Sequence, residues 1–468
     1  MRVRSRASCP IVVEWLSRFP RDTALFLLLI LCNQIEAQLF LPGDSVYVSD
    51  SSSDRVVKLE DSDGSGTVDP EVETEVVIFY DDSSPGPDLS TPGALALDKN
   101  RGLFLLDGGT LDSLLLLTDH NEDGDANDAG EFEVFFDNSS GAPPLGTPNA
   151  LSLMPDSSLY IADDGKSRAL LLRLEDLDGD GNALGEGEWQ VVYNSKLFDP
   201  KNLPSPILLD PEAMTIDFAS GHIFVADATQ EKVFLLRDQN GDGDAMDDGE
   251  LKVYFDPQDV FAFADPEGMS LGSQGQIYVT NEDTGVILQL EDVNSDGQIT
   301  IDEAHPYLDG SAALAPHDTN DILFIGEGAL IVLDGSRDQV FFTTDRDGDG
   351  AALSDGEVVA LLLSADVLAT PSGVAFSGNS VPPAPTFLRG DLNRDGRADM
   401  TDALKILFFL LLDNSFEICA DAADVDDDGE LTVNDAIALL EHLFLGANAP
   451  PSPYPETGVD PTNDDLDC

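Results

Sequence analysis

"HIFVAD", residues 222–227, opens a series of short apolar runs that decides the fold. A polar turn follows it, and then come "KVFLLRD" (232–238), an acidic loop and "LKVYFD" (251–256). Short runs rich in β-branched and aromatic residues, separated by turn residues, are typical of β-strands. This stretch therefore predicts three strands, with the acidic loop between the last two.

The same order of runs recurs between residues 43 and 376. Runs equivalent to "HIFVAD" are "SVYVSD" from Ser45, "GLFLLD" from Gly102, "SLYIAD" from Ser158, "QIYVTN" from Gln276 and "ALIVLD" from Ala329. A further short run, such as "DPEAMTI" from Asp210, precedes most units and supplies another strand. Four short strands in each of six units predict a mainly β fold, a six-bladed β-propeller over residues 38–377.

The two ends of this region complement each other. The first unit begins at its second strand, "SVYVSD", and residues 371–376, "PSGVAF", supply one unmatched first strand. A closed ring needs its ends to share a blade, whereas an open array of repeats does not. The sequence therefore predicts that residues 371–376 complete the first blade.

Each unit carries an acidic loop whose oxygen-bearing residues alternate. Counted from the first Asp, position 6 is always glycine: Gly66, Gly124, Gly181, Gly243, Gly297 and Gly350. The candidate ligands at positions 1, 3 and 5 and the closing glutamates are Asp61, Asp63, Ser65 and Glu73; Asp119, Asn121, Asp123 and Glu131; Asp176, Asp178, Asp180 and Glu188; Asp238, Asn240, Asp242 and Glu250; Asp292, Asn294, Asp296 and Glu303; and Asp345, Asp347, Asp349 and Glu357.

This spacing predicts calcium sites. Calcium takes about six to eight oxygen ligands, and alternate side chains, a backbone carbonyl and a closing glutamate supply them in an EF-hand loop. Glycine at position 6 permits the sharp turn around the ion. The glutamate falls at position 12 only in the fifth loop, so the loops are expected to be slightly wider and to join strands. The alternative is a set of solvated acidic hairpins, tolerated in a salty habitat.

A second acidic unit follows a Pro-rich linker, residues 378–388. Within residues 389–446, "GDLNRDGRADMTDALKILFFLLL" and "ADVDDDGELTVNDAIALLEHLFLG" are near copies, each a loop followed by an apolar helix. Their first helix is apolar nearly all round and is expected to be covered on several sides. The candidate metal ligands are Asp391, Asn393, Asp395, Asp399 and Asp402, then Asp424, Asp426, Asp428, Thr432 and Asp435.

Two resemblances follow from these residues. "LYIADDGKSRALLLR" resembles the repeats of NHL-type and gluconolactonase-type propellers, and the duplicated loop–helix unit resembles a dockerin. A dockerin implies docking onto a cohesin-type protein in an extracellular polysaccharide-degrading assembly, with Met400–Thr401 and Val433–Asn434 facing the partner. "CADAADVDDDG" (419–429) and "GVDPTNDDLDC" (458–468), the end of the Pro/Asp-rich tail at 447–468, resemble the dockerin-like ends of planctomycete secreted proteins. An EF-hand pair without a cohesin partner is the alternative.

Charge and the N-terminus bear on location and partners. Asp and Glu number 90 against 23 Lys and Arg, a formal charge of −67, which repels nucleic acid.

Basic residues precede the apolar run "ALFLLLILC" (24–32), so residues 1–37 are expected to be a signal peptide; a lipoprotein through Cys32 is the weaker alternative. The run is too short to span a bilayer. In an oxidising compartment Cys419 and Cys468 could pair; two free thiols are the alternative.

The sequence contains no triad spacing, phosphate loop or dinucleotide fingerprint, so no catalytic or organic-cofactor residues are predicted. The leading hypothesis is a secreted, non-catalytic binding component of a carbohydrate-related assembly, and the alternative is a propeller hydrolase or lactonase. The second strands end in Asp50, Asp107, Asp163, Asp227, Asn281 and Asp334, which either form a cation-binding ring or cap turns. Glu212 and Glu267 open inner strands, as a metal-binding glutamate does in gluconolactonase-like propellers.

Overall fold

The computed structural model describes residues 44–455, except for 64, 66, 73, 110–111, 166–167, 199–205, 258–262, 295, 310–315, 327, 346–349, 354–356, 363–366, 379–387, 393–396, 399, 412–418, 428 and 430. The expected signal peptide and most of the linker therefore lie outside the described residues. So do seven of the predicted ligands, Glu73, Asp347, Asp349, Asn393, Asp395, Asp399 and Asp428, and one predicted disulfide partner, Cys468.

The described chain forms six four-stranded antiparallel sheets, the blades. The strands are β1 Ser45–Asp50, β2 Arg55–Glu60, β3 Val76–Asp81, β4 Pro92–Asp98, β5 Gly102–Asp107, β6 Ser113–Leu117, β7 Phe132–Phe136, β8 Pro148–Leu153, β9 Leu159–Asp163, β10 Leu170–Leu174, β11 Trp189–Asn194, β12 Pro211–Asp217, β13 His222–Asp227, β14 Lys232–Leu236, β15 Leu251–Phe255, β16 Met269–Leu271, β17 Ile277–Asn281, β18 Val286–Leu290, β19 Ala304–Leu308, β20 Thr319–Gly326, β21 Ala329–Asp334, β22 Gln339–Thr344, β23 Val358–Ala360 and β24 Pro371–Ser377.

The six-bladed propeller is confirmed by the sheet order. Blade 1 is β24-β1-β2-β3, and blades 2 to 6 follow as consecutive sets of four from β4 to β23. The first strands contact one another in a closed cycle, β24-β4-β8-β12-β16-β20 and back to β24, so they line a central tunnel.

Ring closure also follows the prediction. Strand β24 pairs antiparallel with β1, with Val374 opposite Val48 and Phe376 opposite Val46. The first and last strands of the propeller therefore share blade 1. This arrangement removes the free sheet edges that an open array would leave at its two ends.

The core is divided among the gaps between blades. Six clusters of buried apolar residues each join two neighbouring blades, and the one between blades 6 and 1 joins Val46 and Val48 to Ile331 and Leu333. Strands with apolar residues on both faces are expected where each sheet packs between two others. Each blade is therefore stabilised mainly by its neighbours.

A helical unit follows the propeller. It contains α1 Met400–Leu411, α2 Ala420–Ala423 and α3 Val433–Leu445. Helices α1 and α3 pack together around Ala403, Ile406, Ala436 and Leu439, which are fully buried. Thr432 caps α3 with a capping box, in which its side chain and that of Asp435 satisfy free backbone N–H groups. No described helix has the length and apolar character needed to cross a membrane.

Helix α1 keeps one exposed face among the described residues. Met400, Leu404 and Phe408, one turn apart, are 53%, 45% and 54% exposed, so the predicted cover on several sides is not completed by the described residues alone. The tail packs back onto the helical unit instead: Arg389 donates its backbone N–H to the Pro453 carbonyl at 2.7 Å, and Tyr454 contacts His442. Cys419 is disulfide-bonded.

Candidate functional site

The acidic loops occupy one equivalent place in every blade, between the third and fourth strands of the sheet. The first Asp of the loop accepts the backbone N–H of the glycine at position 6 in five blades: Asp119 from Gly124 at 2.9 Å, Asp176 from Gly181 at 3.2 Å, Asp238 from Gly243 at 2.8 Å, Asp292 from Gly297 at 2.8 Å and Asp345 from Gly350 at 2.9 Å. The backbone thus curls around the first carboxylate, as the predicted spacing requires.

The closing glutamates turn back into these loops. Glu188, 4% exposed, accepts backbone N–H groups from Leu177 at 3.1 Å, Asp178 at 3.3 Å and Gly185 at 2.7 Å. Glu131 makes the same pattern with residues 120, 121 and 128. Hydrogen bonds from the backbone N–H and hydroxyl of Thr300 hold the pKa of Glu303 below its usual value. The backbone of each loop therefore holds its closing carboxylate turned inward.

In the first blade the described residue in this place is Glu75. The backbone N–H of Glu60 donates to the Glu75 carbonyl, as Thr118 donates to Glu131 and Glu175 to Glu188. The Glu75 side chain is fully buried and accepts the backbone N–H of Ser62 and Asp69. The ligand predicted at Glu73 lies outside the described residues, and the buried carboxylate of this loop comes two residues later.

At least three loops bring a set of carboxylate oxygens within 4.8 Å of one another. The sets are Asp61, Asp63 and Glu75; Asp123, Asp125 and Glu131; and Asp176, Asp178 and Glu188. Asp125, at position 7, was not among the predicted side-chain ligands. Asp176 also pairs with Arg101 of blade 2 at 2.7 Å, which partly neutralises it.

Each loop also joins its blade to the preceding one through position 8. The residue there is buried, and its backbone N–H donates to a carbonyl in the outer strand of the preceding blade. In blade 6 the acceptor is the residue directly after the outer strand. The six bonds, of 2.7 or 2.8 Å, run from Val68 to Leu361, Ala126 to Phe79, Ala183 to Phe135, Ala245 to Val192, Ile299 to Tyr254 and Ala352 to Tyr307. The first of these bonds runs from blade 1 to blade 6 and closes the cycle. A change in the conformation of a loop would therefore act directly on the interface between its blade and the preceding one.

The second loop of the helical unit has the same construction. Asp424 accepts the N–H of Gly429 at 2.8 Å, and Asp435 accepts those of Val425 at 2.9 Å and Thr432 at 2.7 Å. Burial, with the charges of Asp426 and Asp424 nearby, raises the pKa of Asp435 to about 6. In the first loop the buried Asp402 accepts the N–H of Leu392 at 2.9 Å.

Buried Arg389 organises this unit and was not singled out by the sequence. Its guanidinium donates to the carbonyls of Asp421 at 3.1 Å and Asp424 at 2.7 Å, and it pairs with Asp427 at 2.9 Å. One cation therefore ties α2, the second loop and the tail together. The sequence around Arg389 gives no sign of this role, because the carbonyls that it binds come together only in the folded unit.

The aspartates that end the second strands cap turns. Each accepts backbone N–H groups from the segment that enters the inner strand of its own blade: Asp50 from Ala369 and Thr370, Asp107 from Ser90 and Thr91, Asp163 from Gly146 and Thr147, Asp227 from Leu209 and Asp210, and Asp334 from His317. These five side chains are fully buried. Their carboxylates are used by the backbone, which agrees with the capping interpretation.

The tunnel encloses a cavity of about 370 Å³ lined by the inner strands of all six blades. Its wall is mainly apolar, but Glu212, Glu267 and Asp321 line the end at which the inner strands begin, the upper mouth. The acidic loops follow the third strands and therefore lie on the opposite face of the propeller. Glu212 and Glu267 were singled out by the sequence, whereas Asp321 was not.

Two sets of carboxylates converge at the upper mouth. Oxygens of Asp164, Asp210 and Glu212 lie within 4.8 Å of one another, and so do oxygens of the second set, which consists of Asp265, Glu267 and Glu282. No ion pair between described residues involves these six side chains. Such sets could hold a cation or share protons, because like charges at this distance disfavour full ionisation.

Burial is the main cause of raised pKa values among the carboxyl groups of the upper mouth. It raises the pKa of Glu212 to about 8 and that of Glu267 to about 7, with neighbouring carboxylates adding to both shifts. Burial likewise raises the pKa of Glu282 to about 8 and of Asp321 to about 7. Asn320 donates its side-chain N–H to Glu267 at 3.1 Å. Burial thus favours the protonated form of these four carboxyl groups.

No family model matches the chain, and no match is found among the curated proteins. Among solved structures it is similar to one of the nidogen/laminin complex, with a TM-score of 0.47 and 12% identity over 72% of this chain and 100% of that chain. It is also similar to a protein of unknown function from Bacteroides caccae, with a TM-score of 0.43 and 11% identity over 71% of this chain and 98% of that chain. A third similar structure is that of streptogramin B lyase, with a TM-score of 0.40 and 13% identity over 70% of this chain and 82% of that chain. The likeness concerns the propeller fold alone.

Proposed function

We propose that the protein is an exported, multi-calcium-binding propeller that carries a docking module. The observation that supports this most strongly is the scaffold shared by the blade loops and the second loop of the helical unit. In both, the first Asp accepts the glycine N–H at position 6, and the closing carboxylate is buried and turned inward. Carboxylates collected in this way repel one another, and a divalent cation with oxygen ligands would remove that cost.

Calcium would then contribute to folding, because the unfolded chain has no assembled site. The test is metal analysis of the purified protein combined with thermal unfolding in calcium, in chelator, and in sodium chloride at matched ionic strength. We expect several calcium ions per chain and a sharp fall in melting temperature on chelation that sodium does not reverse. Equal rescue by sodium would show that general charge screening is sufficient and would refute the proposal.

The docking role is supported by the uncovered faces of the two helices. Met400 and Leu404 on α1 and Val433 and Ile437 on α3 are exposed apolar residues at corresponding positions of the two copies. Exposed apolar residues grouped in this way are typical of protein interaction sites. We propose that this face docks onto a cohesin-type protein, which would attach the propeller to an extracellular carbohydrate-related assembly.

Capture of the full chain on an immobilised panel of cohesin-type modules tests this step. Leu404→Glu should abolish capture by placing a charge in the contact, while Leu197→Glu, at an exposed apolar residue of the propeller, is the control and should be captured as the native chain is. Asp391→Ala combined with Asp424→Ala should abolish capture without melting the propeller. Unchanged capture by these variants, or no capture by the native chain, would remove the docking claim.

A second candidate function is hydrolysis or lactone opening at the upper mouth. It is favoured by the cavity together with carboxyl groups whose pKa values lie near neutral pH, the range suited to general acid and base catalysis. Screening with chromogenic glycosides and lactones should then reveal activity that Glu212→Gln and Glu267→Gln reduce. Absence of turnover across the panel, in calcium, would leave the propeller as a binding module.

A further inference from the structure

One ion pair joins blade 2 to the acidic loop of blade 3, the third loop. The guanidinium of Arg101 donates to Oδ2 of Asp176, the first residue of this loop, at 2.7 Å. The two side chains are 23% and 9% exposed, so water screens the pair only in part. The guanidinium also lies over the rings of Phe104 and Phe135, at 5.9 and 5.1 Å from their centroids. Both rings are fully buried, and they fix the cation beside the loop.

This cation is a feature of one blade. Arg101 directly precedes the second-strand run "GLFLLD", and the residues that precede the equivalent runs of the other five blades are Asp44, Ser157, Gly221, Gly275 and Gly328. None of these five residues carries a positive charge. Among the described residues, no ion pair joins a cation to the first Asp of the second, fourth or fifth loop.

The fourth loop provides a direct comparison. Its first residue, Asp238, accepts the backbone N–H groups of the glycines at positions 4 and 6, at 2.6 and 2.8 Å. Asp176 accepts the same two groups of its own loop, at 2.8 and 3.2 Å. The backbone is thus arranged alike around the two carboxylates. The third loop differs in that Arg101 shares Oδ2 of Asp176 with the N–H of position 6.

A positive charge at this point has two opposite effects on the third loop. Without calcium it offsets the repulsion among Asp176, Asp178 and Glu188, whose carboxylate oxygens lie within 4.8 Å of one another. Towards a calcium ion the same charge is repulsive, and it engages one oxygen of a predicted ligand. Both effects favour the loop without its ion over the loop with it.

We propose that Arg101 is a built-in counter-ion that lowers the calcium affinity of the third loop and holds this loop against blade 2 when calcium is scarce. The inference rests on the proposed calcium binding and names the residue that tunes one of the sites. Ala183, at position 8 of the third loop, bonds to Phe135, whose ring lies under the guanidinium. The interface between blades 2 and 3 therefore depends less on calcium than it would without Arg101.

Trp189 provides a readout of the third loop. It directly follows Glu188, and its ring packs against the apolar cluster between blades 2 and 3. The one other tryptophan, Trp15, lies in the expected signal peptide. Terbium binds to the oxygen ligands of calcium sites and luminesces when a nearby tryptophan transfers energy to it. Luminescence excited through Trp189 should therefore report terbium in this loop and vanish in Glu188→Gln, and its displacement by calcium gives the calcium affinity.

We expect Arg101→Gln to bind calcium at the third loop about tenfold more tightly than the native chain, the size of effect expected for one unit charge beside a divalent ion at a partly exposed site. In chelator its melting temperature should fall, and saturating calcium should remove most of this difference. Arg173→Gln is the matched control, because Arg173 carries the same charge on blade 3 but pairs with Asp156 and Glu175. It should change the calcium affinity by less than about twofold.

Equal or weaker calcium affinity in Arg101→Gln would overturn the inference, since a merely structural role for Arg101 predicts a weakened site. A native chain that binds calcium but gives no signal through Trp189 would also overturn it. In both cases calcium bound at the other loops would leave the proposed function standing. Absence of calcium from the native chain by elemental analysis would instead overturn the proposed function, and this inference with it.

Discussion

Replacing Glu188 by glutamine separates the metal's contribution from that of the loop itself. One carboxylate oxygen accepts N–H groups from Leu177 and Asp178, and the other accepts that of Gly185 at 2.7 Å. Glutamine provides one acceptor oxygen, so one backbone N–H loses its partner, at a cost of about 1 to 3 kcal/mol. The change also removes a charge that lies within 4.8 Å of Asp176 and Asp178.

The balance therefore depends on calcium. In chelator, relief of the repulsion between carboxylates offsets the lost hydrogen bond, and we expect a net change in the free energy of unfolding of at most about 1 kcal/mol. In calcium the ion already neutralises the carboxylates, so the relief is absent and a ligand is lost. Loss of a site that is otherwise filled at about 100 times its dissociation constant costs about 3 kcal/mol.

Urea denaturation in calcium and in chelator, with calcium counted by elemental analysis, measures both quantities. Glu186→Gln is the control, because Glu186 lies in the same loop with an exposed side chain. We expect Glu188→Gln to lose about one calcium ion and to be destabilised only in calcium, while the control changes neither. Equal destabilisation in both buffers with an unchanged calcium count would refute the assignment of Glu188 as a ligand.

Three further predictions concern packing, pH and the helical unit. Ile299→Ala should lower the free energy of unfolding by about 2 to 4 kcal/mol in urea denaturation, because Ile299 is buried where its loop meets blade 4; a loss below 1 kcal/mol would contradict this. Burial raises the pKa of Glu212 from 4.5 to about 8, so the folded state holds this proton more tightly and native stability is lost as the pH rises between these values. Glu212→Gln should therefore be more stable than the native chain at pH 8, by about 2 to 3 kcal/mol after allowance for solvent screening, and equal to it near pH 4.5; the same difference at both pH values would contradict the reasoning. In calorimetry, Arg389→Ala should lower the unfolding temperature of the helical unit and leave the transition of the propeller unchanged. The substitution removes one partner of a buried ion pair, which costs about 3 to 5 kcal/mol. A shift of the propeller transition would show that the two units unfold together.

Much of the fold follows from local pattern. The apolar runs identify the strands, because each strand packs between two neighbouring blades and needs apolar residues at nearly every position. The unmatched strand at 371–376 identifies ring closure, which β24 confirms by pairing with β1. Glycine at position 6 places the turn of each acidic loop, and the structure puts its N–H on the first Asp in five blades.

The first loop shows what local spacing leaves undecided. Glu73 and Glu75 are both glutamates near the end of the loop, and the spacing in the other blades favours the former. The ladder bond from Glu60 to Glu75 selects the residue that is buried. The burial of Glu75 thus depends on pairing between strands, which the count of residues along the loop does not contain.

The sequence by itself determined the number of blades, the strand that closes the ring and the position of each acidic loop, because these depend on repeats and on residues adjacent in the chain. Only the tertiary structure decided that position 8 of each loop bonds to the neighbouring blade, and that carboxylates from four blades gather at the upper mouth. The physical reason is that burial and electrostatic interaction depend on distance in space. Residues far apart in the chain acquire their environment only when the ring closes.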